Sequence, residues 1–232
     1  MARPKNADGQ RTRQAILDAA LDLFAENGYF GTSLRDVASA VGVRESALYN
    51  YFASKDALFD ALLTAHQHTK VERMAPIAEA PIADGRALLE QFALASLEAF
   101  EEPREQKLHR ILMSDGIRLA KDGRINLYER MSSGREQLHE MLRRLIREGW
   151  LRRAEVAVLG IAFFSPLFMW RQLRAIDAPL PMIRQPRAFA RQHVEQFLMG
   201  AGAPAVRAAR ARPSSTPPAS SSRRAARRRA VL

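Results

Sequence analysis

Residues Thr32 to Lys55, TSLRDVASAVGVRESALYNYFASK, decide the fold. Ser33 followed three residues later by Asp36 is a capping box, in which hydroxyl and carboxylate satisfy the orphan N–H groups of a helix start. Val37, Ala38 and Val41 then fall on the buried side of a short helix, and Gly42 breaks the pattern. A further short helix runs from about Glu45 to Phe52. On a 100° wheel its Ala47, Leu48 and Tyr51 cluster on one side, while Glu45, Ser46, Tyr49 and Asn50 lie opposite. Arg44 sits at its start. Two short amphipathic helices meeting at a glycine turn, with small Ala38 permitting close approach, follow helix-turn-helix logic. An outward face made wholly of hydrogen-bonding groups suits a major groove about 12 Å wide.

Upstream, Ile16, Ala20, Leu23 and Phe24 share one face of a helix spanning Arg11 to Asn27, which Gly28 is expected to end as a left-handed residue. Residues 1–10 read as a flexible basic arm. Downstream, Ser54 is the N-cap of a fourth helix over 55–75. Further helices are expected at 84–101, 104–115, 122–148, 154–175 and 187–200. Pro76, Pro81, Pro103, Gly116, Gly123, Gly149, Pro179, Pro181 and Pro186 mark breaks, and Asp84-Gly85 and Asp122-Gly123 are expected to open helices. No stretch alternates as a strand does. The expected fold is all-α, with an N-terminal three-helix domain at 11–55, a helical bundle at 56–202 and a disordered Arg-rich tail at 203–232.

Composition narrows the function. An apolar share of 47% excludes whole-chain disorder. The absence of cysteine excludes disulfides, cysteine-ligated metal and a cysteine nucleophile, and suits a reducing cytoplasm. Net charge is +11, but eight arginines and no acid lie between Ala203 and Leu232, so the tail carries most of the excess. Residues 1–55 hold seven cations and six acids. Any DNA affinity of that segment therefore comes from placed contacts rather than bulk attraction. Met1 to Gln10 is polar and shows no secretory signal. The apolar run Val156–Trp170 contains Pro166 and falls short of the about 20 residues that a membrane span needs, so a core or interface helix is expected there. His66 and His68 are two apart and do not share a helix face, and His109, His139 and His193 read as isolated core or surface residues. With no HExxH, GxSxG or glycine-rich phosphate loop, no catalytic site, metal or cofactor is expected.

The run AILDAALDLFAENGYFGTSLRDVASAVGV followed by ALYNYFASKDALF resembles the DNA-binding domain of the tetracycline-repressor-like (TetR) family of bacterial transcription regulators. Gly28, Tyr29, Thr32, Val37-Ala38, Gly42-Val43, Leu48-Tyr49, Phe52 and Lys55 carry the resemblance. The segment LHRILMSDGIRLAKDGRINLYERM is similar to C-terminal domains of the AefR-like branch.

The resemblance implies roles by position. Thr32 and Ser33 would cap the second helix and touch phosphate. Arg44, Glu45 and Ser46 would face bases or adjoining phosphates. Tyr49 would contact the backbone, Asn50 would reach base or phosphate, and Lys55 would hold a phosphate. The chemistry agrees: Arg suits guanine, Glu accepts from cytosine, Asn suits adenine, and a helix N-terminus attracts phosphate. A short reading helix gains affinity when paired across two half-sites of double-stranded operator DNA. Homodimerisation is expected through 154–175 and 187–200. The remaining helices would enclose a small apolar ligand among Phe92, Leu112, Met113, Tyr128, Met131, Phe164 and Phe168. The expectation is a homodimeric cytoplasmic repressor released by that ligand. The alternative is a helical scaffold or enzyme that meets nucleic acid through its tail alone.

Overall fold

The computed structural model describes residues 5–126, 129 and 135–204. Its helices are α1 (Lys5–Gly31), α2 (Leu34–Val41), α3 (Glu45–Leu48), α4 (Lys55–Glu79), α5 (Gly85–Phe100), α6 (Pro103–Lys121), α7 (Arg135–Arg147), α8 (Val156–Ala175) and α9 (Pro186–Ala201), with a 3₁₀ turn at Pro181–Arg184 before α9. The described residues hold no strand, only an isolated bridge between Leu151 and Gly202. The all-α expectation holds.

Several boundaries differ from the sequence reading. Residues 5–10, expected as a flexible arm, are already helical. Gly28 does interrupt α1, but with φ 76° and ψ 163° rather than the left-handed helical pair, and the chain makes one more helical turn to Gly31. That backbone region is essentially open to glycine alone. Pro76 and Pro166 lie inside α4 and α8, and Gly116 lies buried inside α6. Asp122 and Gly123 close α6 instead of opening the next helix: the Arg124 N–H reaches back to the Leu119 carbonyl at 2.9 Å. The helix at 3 is shorter than expected, α-helical only over Glu45–Leu48 and continued by turns through Tyr51.

Two apolar cores organise these elements. The smaller joins Ile16, Leu17, Ala20 and Phe24 of α1, Val37 and Ala38 of α2, Leu48, Phe52, and Leu58, Phe59, Leu62 and Leu63 of α4. Leu108, Ile111 and Leu119 of α6 belong to it as well. The headpiece expected to end at residue 55 is therefore completed by the first half of α4 and one face of α6. The larger core holds Leu89 and Phe92 of α5, Leu138, Met141, Leu142 and Leu145 of α7, Leu159, Phe163, Leu167 and Trp170 of α8, and Val194, Phe197 and Leu198 of α9, with half-buried Trp150 against it. By length and composition alone α8 could cross a membrane. Here one stripe of it faces the bundle, while Val158, Ile161 and Met169 remain more than half exposed.

Candidate functional site

The turn between α2 and α3 is built by local chemistry. The Ser33 hydroxyl accepts from the Asp36 N–H at 3.1 Å, and the Asp36 carboxylate accepts from the Ser33 N–H at 2.8 Å. The Ser33 hydroxyl also donates to the Asp36 carboxylate at 2.7 Å, and with the Ser33 N–H it holds the Asp36 carboxyl below its ordinary pKa. At the other end Gly42, with φ 73° and ψ 28°, lets its own N–H bond Ser39 while the Val43 N–H reaches the Ala38 carbonyl at 3.0 Å. Both bonds are those of a Schellman stop. The chain then enters α3 with Arg44 as an extended N-cap.

Leu48 and Phe52 anchor α3, being buried at 0% and 4% exposure, and Ala47 and Tyr51 are half-buried. Arg44, Glu45, Ser46, Tyr49 and Asn50 are all exposed on the side away from that anchor, Tyr49 by 50%. The structure thus brings five of the expected DNA-reading residues onto one polar face. Ser33 is exposed beside α2.

Thr32 and Lys55 sit differently from the expected phosphate contacts. Thr32 is buried, and its hydroxyl lies 2.9 Å from the Gly28 carbonyl and 3.1 Å from that of Leu23, so capping falls to Ser33 alone. The Lys55 ammonium donates to the carbonyls of Tyr29 and Thr32 at 2.9 and 2.8 Å and lies over the Tyr29 ring. It closes the frayed end of α1, as a cation at a helix C-terminus does. Partial burial lowers its pKa. Next to it, Asp56 accepts from the Tyr29 hydroxyl and from Arg124 at 2.7 Å. Burial works against the Asp56 carboxylate, but these two donors hold its pKa down, while burial and Asp56 push the Tyr29 phenol up. Asp115 of α6 accepts from the Tyr29 N–H at 2.7 Å. The start of α4, the end of α1 and the end of α6 are tied at this one joint.

Behind it lies a cavity of about 460 Å³ between α4, α5, α6, α7 and α8. Phe92, Leu112, Met113, Phe164 and Phe168 all line it, as the sequence reading places them. Tyr128 and Met131 fall outside the described residues. Sequence reasoning missed the polar end of the cavity. There Glu105, 5% exposed, accepts from the His66 Nδ1 at 2.9 Å and the Arg171 Nη2 at 3.3 Å, with the Lys70 Nζ at 3.8 Å. Burial raises the Glu105 pKa, but the His66 bond and the neighbouring charges outweigh it and bring it to about 2. Burial pushes Lys70 down to about 8 and lowers His66 and His109. The signal was present: Glu105 falls on the same helical stripe as Leu108, and His66 and Lys70 are four apart on α4.

The chain matches the model of the tetR family of bacterial regulatory proteins over residues 16–62, and that of the AefR-like transcriptional repressor C-terminal domain over 87–200. It is 29% identical over 189 residues to the HTH-type transcriptional regulator SrpR of Pseudomonas putida, covering 79% of this chain and 85% of that one. It is 31% identical over 141 residues to the HTH-type transcriptional repressor KstR2 of Mycobacterium tuberculosis, covering 60% and 69%. The crystal structure of the TetR-family regulator PfmR from Thermus thermophilus superposes with a TM-score of 0.62 at 28% identity, covering 80% of this chain and 97% of that one. The chain belongs to the TetR family of bacterial transcriptional regulators, which bind DNA through a helix-turn-helix, and its C-terminal domain is of the AefR-like repressor type.

Proposed function

We propose that this protein is a homodimeric repressor of the bacterial cytoplasm that reads an operator half-site with Arg44, Glu45, Ser46, Tyr49 and Asn50, and is released when a small, largely apolar molecule occupies its cavity. The observation that carries the reading is the polar, exposed face of α3 above the buried Leu48 and Phe52. Ser33 adds a phosphate contact beside the N-terminus of α2. Thr32 and Lys55 act mainly by fixing the joint on which α3 stands. Any phosphate contact by Lys55 would use the ammonium donor left after its two carbonyl bonds.

Dimerisation through α8 and α9 is supported by apolar side chains that the single chain leaves in water: Val158, Ile161 and Met169 on α8, and Met199 on α9. Release follows from shared elements. α4 and α6 wall the cavity and also supply side chains to the headpiece core. A ligand that favours one setting of these helices resets the Tyr29–Asp56–Arg124 joint and the spacing of the paired reading faces. Coupling of this kind amounts to about 1–3 kcal/mol, a several-fold to hundred-fold change in operator affinity.

Fluorescence anisotropy on DNA from upstream of the encoding gene tests the reading face. Arg44→Ala and Tyr49→Phe should each weaken specific binding while leaving the melting temperature near that of the parent. Wild-type affinity in both folded variants would refute the assignment of this face. A thermal-shift screen over apolar compounds tests the sensor half separately.

A further inference from the structure

Resting on the reading of the cavity as the effector site, we propose that its ligand is an amphipathic acid, with one carboxylate seated at Lys70 and Arg171 and a hydrocarbon or aromatic body lying along Phe92, Leu112, Phe164 and Phe168.

The cavity has two unlike ends. Its body is apolar and its volume of about 460 Å³ falls within the range usual for small-molecule sites, about 300–1,000 Å³. Its polar end carries a charge imbalance. Lys70 and Arg171 are cationic, Glu105 is the one buried anion between them, and His66 and His109 are neutral near pH 7 because burial lowers both. One positive charge is left over. Arg73, also on the wall, is engaged by Glu102, and Glu136 by Arg143.

Glu105 cannot absorb the excess. One of its oxygens is taken by His66 at 2.9 Å and the other by Arg171 at 3.3 Å. Lys70 stands 3.8 Å away, an ion-pair distance beyond hydrogen-bond reach. Among the described residues the Arg171 Nε is buried with no hydrogen-bond partner. Donors with vacant capacity and a surplus cation, set at the wall of a cavity, are complementary to an anion. A cationic ligand would meet two like charges there, and a neutral one would leave the surplus in place. A surplus of one matches a monoanion, which favours carboxylate over a dianionic phosphate. The Arg171 Cζ also lies over the Phe100 ring, 4.8 Å from its centre, a cation–π contact that holds the guanidinium at the cavity wall.

Titration calorimetry and thermal shift on the full chain near pH 7 test this with four chains of equal length: decanoate, decan-1-ol, decylammonium and decyl phosphate. Decanoate should bind about ten-fold more tightly than decan-1-ol, the usual margin of one charge-assisted contact. Lys70→Met should abolish that margin while decan-1-ol still binds, and Lys70→Arg should keep it. Equal affinity for acid and alcohol, a preference for decylammonium, or a margin that survives Lys70→Met would overturn the proposal. Tighter binding of decyl phosphate than of decanoate would overturn the carboxylate assignment and give the site to phosphate. If decan-1-ol releases operator DNA as well as decanoate does, the sensor reading stands and the acid proposal falls. If no compound of any charge binds, both fall.

Discussion

Replacing Gly28 by alanine should destabilise the protein well beyond an ordinary glycine substitution, for two reasons that can be separated. The backbone at φ 76° and ψ 163° is one that side chains avoid, at a cost of order 1–3 kcal/mol. An added Cβ would also stand 2.9 Å from the Asp115 Oδ2, the same oxygen that accepts from the Tyr29 N–H at 2.7 Å. Asp115 can swing aside only by giving up that charge-assisted bond, which is worth about 1.5–3 kcal/mol. Taking the lower part of each range gives about 3 kcal/mol, or a melting temperature lower by about 6–12 °C in a chain of this size. Gly42→Ala is the control. Its φ is also positive, at 73°, but nothing lies within 4 Å of the new Cβ, so about 1 kcal/mol is expected. Circular-dichroism melts and urea titrations of both variants, repeated in an Asp115→Ala background, read the two contributions. In that background Gly28→Ala should lose its clash and cost only the backbone term. A Gly28→Ala no less stable than Gly42→Ala, or a penalty indifferent to Asp115, would refute the reasoning.

Glu105→Gln should cost about 3 kcal/mol, because it leaves Lys70 and Arg171 without their buried counter-charge. Since the folded pKa of Glu105 is near 2 and its ordinary value 4.5, the carboxylate's contribution is fully present above about pH 4.5 and drains away as pH falls towards 2; the parent should lose more stability over that window than the glutamine variant in melts at matched pH. Val158→Glu combined with Met199→Glu should shift light-scattering mass from dimer towards monomer, both side chains being over half exposed in the single chain; an unchanged mass would remove these helices from the interface. Deleting residues 205–232 removes eight arginines and should flatten the salt dependence of DNA binding while operator preference survives; loss of all preference would assign the reading to the tail.

The headpiece was legible because its instructions are local. Ser33 and Asp36 bond each other within one turn, Gly42 supplies the backbone that the stop requires, and the buried and exposed sides of residues 44–52 follow from the helical period. Tertiary packing overrode the local signs elsewhere. Pro76 lies inside α4 between Met74 and Ala78, whose burial in the larger core carries the helix past it. Pro166 sits at mid-helix, where the buried flank of Phe163, Leu167 and Trp170 carries α8 past a residue that would break an isolated helix. The roles of Thr32 and Lys55 depended on which carbonyls the kink at Gly28 would leave open, which no spacing along the chain discloses. The cavity's charged end was hidden for the same reason: His66, Lys70, Glu105 and Arg171 lie on three helices, and only their meeting reveals the imbalance.

The chain's two tryptophans, Trp150 and Trp170, both pack in the larger core, and the headpiece core is served by Tyr29, Phe24, Phe52 and Phe59 instead. Indole emission therefore reports on the C-terminal bundle rather than on the headpiece. Following a melt by tryptophan fluorescence and by helical ellipticity side by side would show whether the two halves let go together or in turn.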